Sequence, residues 1–124
     1  MEQIYITDVA PRDGLQNQAV HLSTAAKLEM IRLLAAAGVS SVEATSFVSP
    51  KAVPQMADAA EVVAQLQRQG AALRTSVLVP NLKGLERAHA AGATEIAVVL
   101  AATETMNQKN INMSLDAAIE ASEQ

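Results

Sequence analysis

A short apolar run ends at Val9, and the residues that follow it carry charge. Arg12, Asp13, Gly14, Gln16 and Asn17 stand within the segment V-A-P-R-D-G-L-Q-N at 9–17. A carboxylate such as Asp13 can ligate a hard divalent cation, and a neighbouring arginine can neutralise a developing oxyanion. An ordinary solvated loop holding an Arg-Asp pair is the plainer reading of the same spacing. Glu43 is harder to leave in solvent. It sits among Val42, Ala44 and Thr45 in an apolar strand, where an unpaired carboxylate is costly. It must either pair with Arg12 or face a polar cavity, so a structural ion pair and a direct catalytic role both stand. Lys109 and Asn110, after the last apolar run, can meet the phosphates or amides of a long ligand, or simply be solvated. His21 and His89 fall in a loop and in a helix, with no H-x-H or H-E-x-x-H, so surface or packing roles are expected for both.

The elements that must hold these groups alternate. Apolar runs at 4–9, 41–45, 73–79 and 95–100 read as strands. The first is stopped by Pro11 and the third by Pro80. Between them lie helical stretches. Ser23 or Thr24 can cap the first, whose stripe of Leu28, Ile31, Leu34 and Ala35 lies opposite Lys27 and Arg32, with Gly38 as its stop. Asp58 with Glu61 gives a capping-box signal for the second, closed by Gly70. Asn81 can cap the third, ending near Gly92. Residues 47–54 and 103–113 read as loops, and Ser114 opens a further helix that runs to Gln124.

This β-α pattern, about four units long, predicts a mostly parallel sheet with helices outside it. An open doubly wound sheet and part of a closed (β/α)8 barrel both satisfy it. The first strand–helix turn has a single glycine, Gly14, and no G-x-G-x-x-G, and no Walker A loop occurs anywhere. Dinucleotide and nucleotide sites are therefore poorly supported. About 250 residues make a complete barrel, whereas this chain has 124. Residues 1–124 are therefore expected to be a partial barrel domain of about four βα units, cut within a helix.

Composition narrows the classes further. Half of the residues are hydrophobic, which argues against disorder, and the aromatics are only Tyr5 and Phe47. An interior of Ala, Val, Leu, Ile and Met suits helices packed closely on a parallel sheet. The net charge of -4, with no basic block, argues against nucleic-acid binding. No apolar run approaches the length of a membrane span, and the start of the chain has neither a signal-peptide nor a presequence pattern. The absence of cysteine rules out disulfides and cysteine nucleophiles within this chain, and a cytoplasmic location is expected.

Four strings carry a resemblance: D-V-A-P-R-D-G-L-Q-N-Q, V-E-A-T-S-F-V-S-P-K-A-V-P-Q-M-A-D, V-P-N-L-K-G and Q-K-N-I-N. In order and spacing they resemble the N-terminal half of the hydroxymethylglutaryl-CoA lyase family, over essentially all of the chain. The resemblance implies a (β/α)8 barrel that cleaves 3-hydroxy-3-methylglutaryl-CoA to acetyl-CoA and acetoacetate in leucine breakdown, with Mg²⁺ or Mn²⁺ at the C-terminal mouth. It implies Asp13 as a metal ligand and Arg12 as the group stabilising the enolate. Gln16, Glu43 and Ser46 become pocket or support residues, with Glu43 orienting the arginine, and Lys109 and Asn110 part of the CoA-binding surface. Ala10 stands where the family usually has glycine. The family's H-x-H pair, the asparagine completing its metal site and its cysteine-bearing loop are not in these 124 residues.

A single aspartate is a poor Mg²⁺ site, so the isolated chain is expected to show negligible lyase activity. Acetoacetate release with Mn²⁺ measures this, and turnover within the ordinary enzyme range of about 1–10³ s⁻¹ would contradict it. Two other readings compete. One is a lyase or aldolase of the same metallo-barrel superfamily acting on another 3-hydroxyacyl-CoA or a 2-oxo acid. The other is a non-catalytic half-barrel that associates with a second copy or a complementary C-terminal half.

Overall fold

A computed structural model describes residues 2–70, 72–100, 102, 103, 105, 116, 120 and 123. Lys109, Asn110, and nearly all of the loop at 103–113 and of the final helix from Ser114 lie outside the described residues. The regular elements are α1 (Thr24–Ala36), β1 (Ser41–Ser46), α2 (Ala59–Gln69), β2 (Arg74–Leu78), α3 (Leu82–Ala91) and β3 (Ile96–Ala97). A wide helical turn at Ala10–Gly14 precedes α1, and a short 3-10 turn at Pro54–Met56 precedes α2.

The strands form one parallel sheet in the order β1-β2-β3. Asp8 adds a parallel bridge to Val42, with Asp8 N–H on the Ser41 carbonyl and Glu43 N–H on the Asp8 carbonyl, both at 2.9 Å. The Ser40 carbonyl, one residue out of phase, instead accepts from Arg74 N–H at 3.0 Å. Successive backbone groups of a strand point to opposite neighbours, so the Asp8 segment and β2 flank β1 on opposite edges. Spatial order thus follows chain order without the reversal that a doubly wound sheet requires. Of the two architectures open to the sequence, this is the arrangement of an unclosed part of a (β/α) barrel.

The outer strands are shorter than expected. The run at 4–9 contracts to the Asp8 bridge, because the Val9 carbonyl turns to accept from Arg12 and Gly14 N–H at 3.1 and 3.2 Å. Ile4, Tyr5 and Ile6 are left at least three-quarters exposed. At the other edge, 95–100 contracts to β3, and Val98, Val99 and Leu100 are also exposed. Both are edges where a sheet continuing into further strands would bury them.

Two apolar clusters join the helices to the sheet. Ile31, Val42, Ala44 and Val62 fill the space between α1, α2 and β1. Phe47, Ala59, Val63, Val77, Val79 and Ala88 do the same between α2, α3 and β2. Ala44, Ala59 and Ala88 are at most 1% exposed, and their small side chains let helix and sheet approach closely. No helix among the described residues is long and apolar enough to cross a membrane.

The caps divide into two kinds. Ser23 and Asn81 cap α1 and α3 as expected, accepting from Ala26 N–H at 3.1 Å and Gly84 N–H at 2.8 Å. Asp58 occupies the capping position of α2 but makes no capping bond. Its carboxylate turns instead to α1, taking Lys27 Nζ at 2.6 Å and Thr24 Oγ1 at 2.7 Å. Lys27 is correspondingly buried rather than on a polar face, and its ammonium also donates to the Gln55 carbonyl. The pair locks α1 to the start of α2. On the outer face of α1, bonds from Arg32 hold the Glu29 carboxyl below its ordinary range.

Candidate functional site

Of the polar residues singled out in the sequence, Arg12, Asp13, Gln16, Glu43 and Ser46 gather toward the C-terminal ends of the strands, while Lys109 and Asn110 lie outside the described residues. Pro11 is buried in the first turn after Val9, and the Asp8 carboxylate accepts from Ala10 N–H at 2.8 Å. Asn17 Nδ2 donates to the Asp13 carbonyl at 2.9 Å, tying down the far end of the turn. The turn thereby carries Arg12 over the edge of β1. Arg12 Nε donates to Glu43 Oε1 at 2.5 Å, and Arg12 Nη1 reaches Asp13 Oδ1 at 3.1 Å. The Arg12 and Glu43 side chains are 15% and 12% exposed, whereas Asp13 is 53% exposed. Of the two places open to Glu43, the structure selects the ion pair. Charge-assisted bonding offsets the cost of burying both groups and fixes the plane of the guanidinium.

Ser46 reaches this side of the sheet through a bulge. Val42 and Ala44 pack toward the helices, so strict alternation would send Ser46 the same way. The β1–β2 register instead slips between Glu43 and Thr45. After the slip Thr45 pairs with Val77, which packs in the helix-facing core, and Ser46 pairs with Leu78. Partners in a parallel ladder point to the same face, so the extra residue places Ser46 with Glu43 and Leu78. Thr45 Oγ1 faces the buried Met56 sulfur at 3.6 Å on the other side.

A cavity of about 210 Å³ opens here. Arg12, Asp13 and Gln16 make its polar wall, and Val48, Leu78, Pro80 and Val99 its apolar wall. Glu43 acts on it through Arg12, and Ser46 lies beside Leu78 in the strand pairing. The apolar wall was not evident from the sequence; its only signal is that each member closely follows, or ends, a strand. A second cavity of similar volume lies at the opposite ends of the strands, where the Arg74–Glu95 pair is exposed. The C-terminal ends, where this fold places chemistry, make the first cavity the candidate. His21 and His89 are exposed and line neither cavity.

Gln16 Oε1 and Ser46 Oγ are buried without a hydrogen-bond partner among the described residues. An unpaired buried hydroxyl costs about 1–3 kcal/mol. Ser46→Ala is therefore expected to leave the free protein as stable as before or about 1 kcal/mol more so. The same variant should weaken ligand binding. Thermal unfolding and a ligand titration together read this, and a clear loss of stability would show that Ser46 Oγ is satisfied in the free protein.

A hard divalent cation needs several oxygen ligands. Among the described residues Asp13 is the only carboxylate in the cavity lining, and one of its oxygens faces the Arg12 cation. Among the described residues no group of three or more His, Cys, Asp or Glu side chains can hold a metal ion. These residues do not, by themselves, make a Mg²⁺ or Mn²⁺ site.

Fold and site place the chain in a class first: an open parallel (β/α)-barrel sheet with its polar cluster at the C-terminal strand ends. The chain belongs to the HMGL-like family, whose model matches residues 3–124. It is 51% identical over 123 residues to a rat cytoplasmic 3-hydroxy-3-methylglutaryl-CoA lyase, covering 99% of this chain and 36% of that protein. The crystal structure of the Brucella melitensis HMG-CoA lyase superposes with a TM-score of 0.88 at 48% identity, covering 98% of this chain and 43% of that one. An Acinetobacter baumannii HMG-CoA lyase in complex with coenzyme A and 3-methylmalate superposes equally well, with a TM-score of 0.88 at 38% identity over 95% of this chain and 38% of that one. The chain spans about a third of the length of the curated relatives it matches.

Proposed function

We propose that residues 1–124 form part of one barrel domain and supply one side of a lyase site for 3-hydroxy-3-methylglutaryl-CoA, releasing acetyl-CoA and acetoacetate. The observation that carries this reading is the Glu43-held Arg12 at a strand-end cavity, in a chain about half identical to lyases of that name. In the reaction the tertiary hydroxyl loses its proton and becomes a ketone as the adjacent C–C bond breaks. The electron pair passes to the acetyl-CoA fragment as a thioester enolate, which is then protonated on carbon.

Arg12 has the chemistry that the enolate requires. Its Nε is committed to Glu43, so its outer edge can donate to the thioester oxygen as negative charge gathers there. Glu43 keeps that edge from turning away, because the ion pair is largely shielded from water. Gln16 and Ser46 offer unpaired polar atoms to the substrate, and Val48, Leu78 and Val99 give its hydrocarbon part a dry surface. Lys109 and Asn110 are assigned to the CoA portion in the same reading. Mg²⁺ or Mn²⁺ belongs to it too, with Asp13 as the ligand contributed by the described residues.

The coenzyme A in the Acinetobacter relative supports an acyl-CoA as the ligand class here. Titrating the isotope-labelled chain with 3-hydroxy-3-methylglutaryl-CoA tests the assignment. Resonances of Arg12, Gln16, Val48 and Val99 are expected to move together. No response at these positions up to millimolar ligand would overturn the reading.

A further inference from the structure

Arg87 lies on α3, in the helix layer, and does not line the cavity. We propose that it is nonetheless a positioning residue for that cavity, acting through Phe47 and Val48. Its Nη1 donates to the Val48 carbonyl at 3.2 Å, and its guanidinium carbon stands 5.5 Å from the centre of the Phe47 ring. Val48 is part of the apolar wall, while Phe47 follows Ser46 directly and is 1% exposed. Phe47 is gripped from two further directions. Phe47 N–H donates to the Leu78 carbonyl at 2.8 Å. The start of α3 presses on the Phe47 carbonyl so closely that a Cβ on Gly84 would lie 2.8 Å from it.

These contacts form a chain from the helix layer to the reacting face. Gly84 permits α3 to touch the backbone after β1. Arg87, one turn further on, then holds the next carbonyl and covers the ring with a half-buried cation. Releasing the Val48 carbonyl would free one of the residues that form the apolar wall of the cavity that Arg12 also lines. Only this link between Arg87 and ligand affinity rests on the acyl-CoA reading; its hold on the loop stands on geometry alone.

Arg87→Met keeps the stem over Phe47 but removes the charge and the bond. Arg87→Lys keeps the charge and can still reach the carbonyl. Hydrogen exchange is read at Ala52 and Val53, whose N–H groups donate to Ser49 within the same loop, and at Ala37, whose N–H donates to Leu33 at the far end of α1. Arg87→Met is expected to speed exchange at Ala52 and Val53 about tenfold, the equivalent of one lost hydrogen bond, with Ala37 unchanged. It should weaken 3-hydroxy-3-methylglutaryl-CoA binding by a similar factor at nearly constant melting temperature, and Arg87→Lys should recover most of both effects. Unchanged exchange in the loop, equal acceleration at Ala37, or failure of lysine to rescue would each overturn the proposal. Wild-type protein that binds no acyl-CoA, or binds it equally well as Arg12→Gln, would refute the acyl-CoA reading. The exchange result would still decide Arg87.

Discussion

Asp58→Ala is expected to remove about 3 kcal/mol of folding stability, far more than Lys27→Met at the other end of the same ion pair. The asymmetry comes from burial. The Lys27 side chain is 4% exposed and that of Asp58 is 24% exposed. Without Asp58 the ammonium keeps only the Gln55 carbonyl, in a place water reaches poorly. Without Lys27 the carboxylate still has Thr24 Oγ1 and can hydrate, while methionine fills the volume of the lysine stem. The loss from Lys27→Met should stay near 1 kcal/mol, and in the double variant Lys27→Met/Asp58→Ala most of the larger loss should return. Urea denaturation is the measurement. With a slope of about 1–3 kcal/mol per molar, Asp58→Ala should lower the midpoint by roughly 1–3 M. Equal losses from the two single variants would show that Lys27 is not held as a buried charge.

Arg12→Gln is expected to weaken 3-hydroxy-3-methylglutaryl-CoA binding by about 10- to 100-fold, since a hydrogen bond from a charged donor contributes about 1.5–3 kcal/mol. Glu43→Gln should weaken it less, by roughly 10-fold or under, because the guanidinium remains but its plane is no longer fixed. The two variants differ in a second readout. In Glu43→Gln the Arg12 Nε–H resonance should move from the position set by its 2.5 Å bond to the carboxylate. Titration calorimetry and nitrogen-proton spectra of the side chain follow both effects. Unaltered affinity in Arg12→Gln would remove Arg12 from the site, whatever the fate of the ion pair.

Much of this molecule was legible before its structure. Ser23 and Asn81 are caps in fact as in pattern, because a cap is decided by residues three positions apart. The strand–helix alternation and the four strings that resemble the lyase family named the barrel. Arg12 and Glu43 were recognisable as partners because a carboxylate inside an apolar strand has few ways to be satisfied. Asp58 shows where local reasoning stops. Its spacing to Glu61 promises a capping box, yet a buried ammonium from α1 is a stronger claim on its oxygens than a backbone N–H.

By itself, then, the sequence determined the alternation of strands and helices, the caps at Ser23 and Asn81, the family and the residue types gathered after the strands. Each of these depends on neighbours within a few positions or on strings that can be read directly. Tertiary structure decided that the sheet runs in chain order, that Glu43 is paired, and that Lys27 is buried. It also decided that one extra residue in β1 puts Ser46 on the sheet face of Glu43 and Leu78, and that Val48, Leu78, Pro80 and Val99 line one cavity with Arg12. Strand register and burial are set by contacts between residues some thirty positions apart, such as Arg12 with Glu43 and Lys27 with Asp58. No periodicity along the chain records which of the available partners will win.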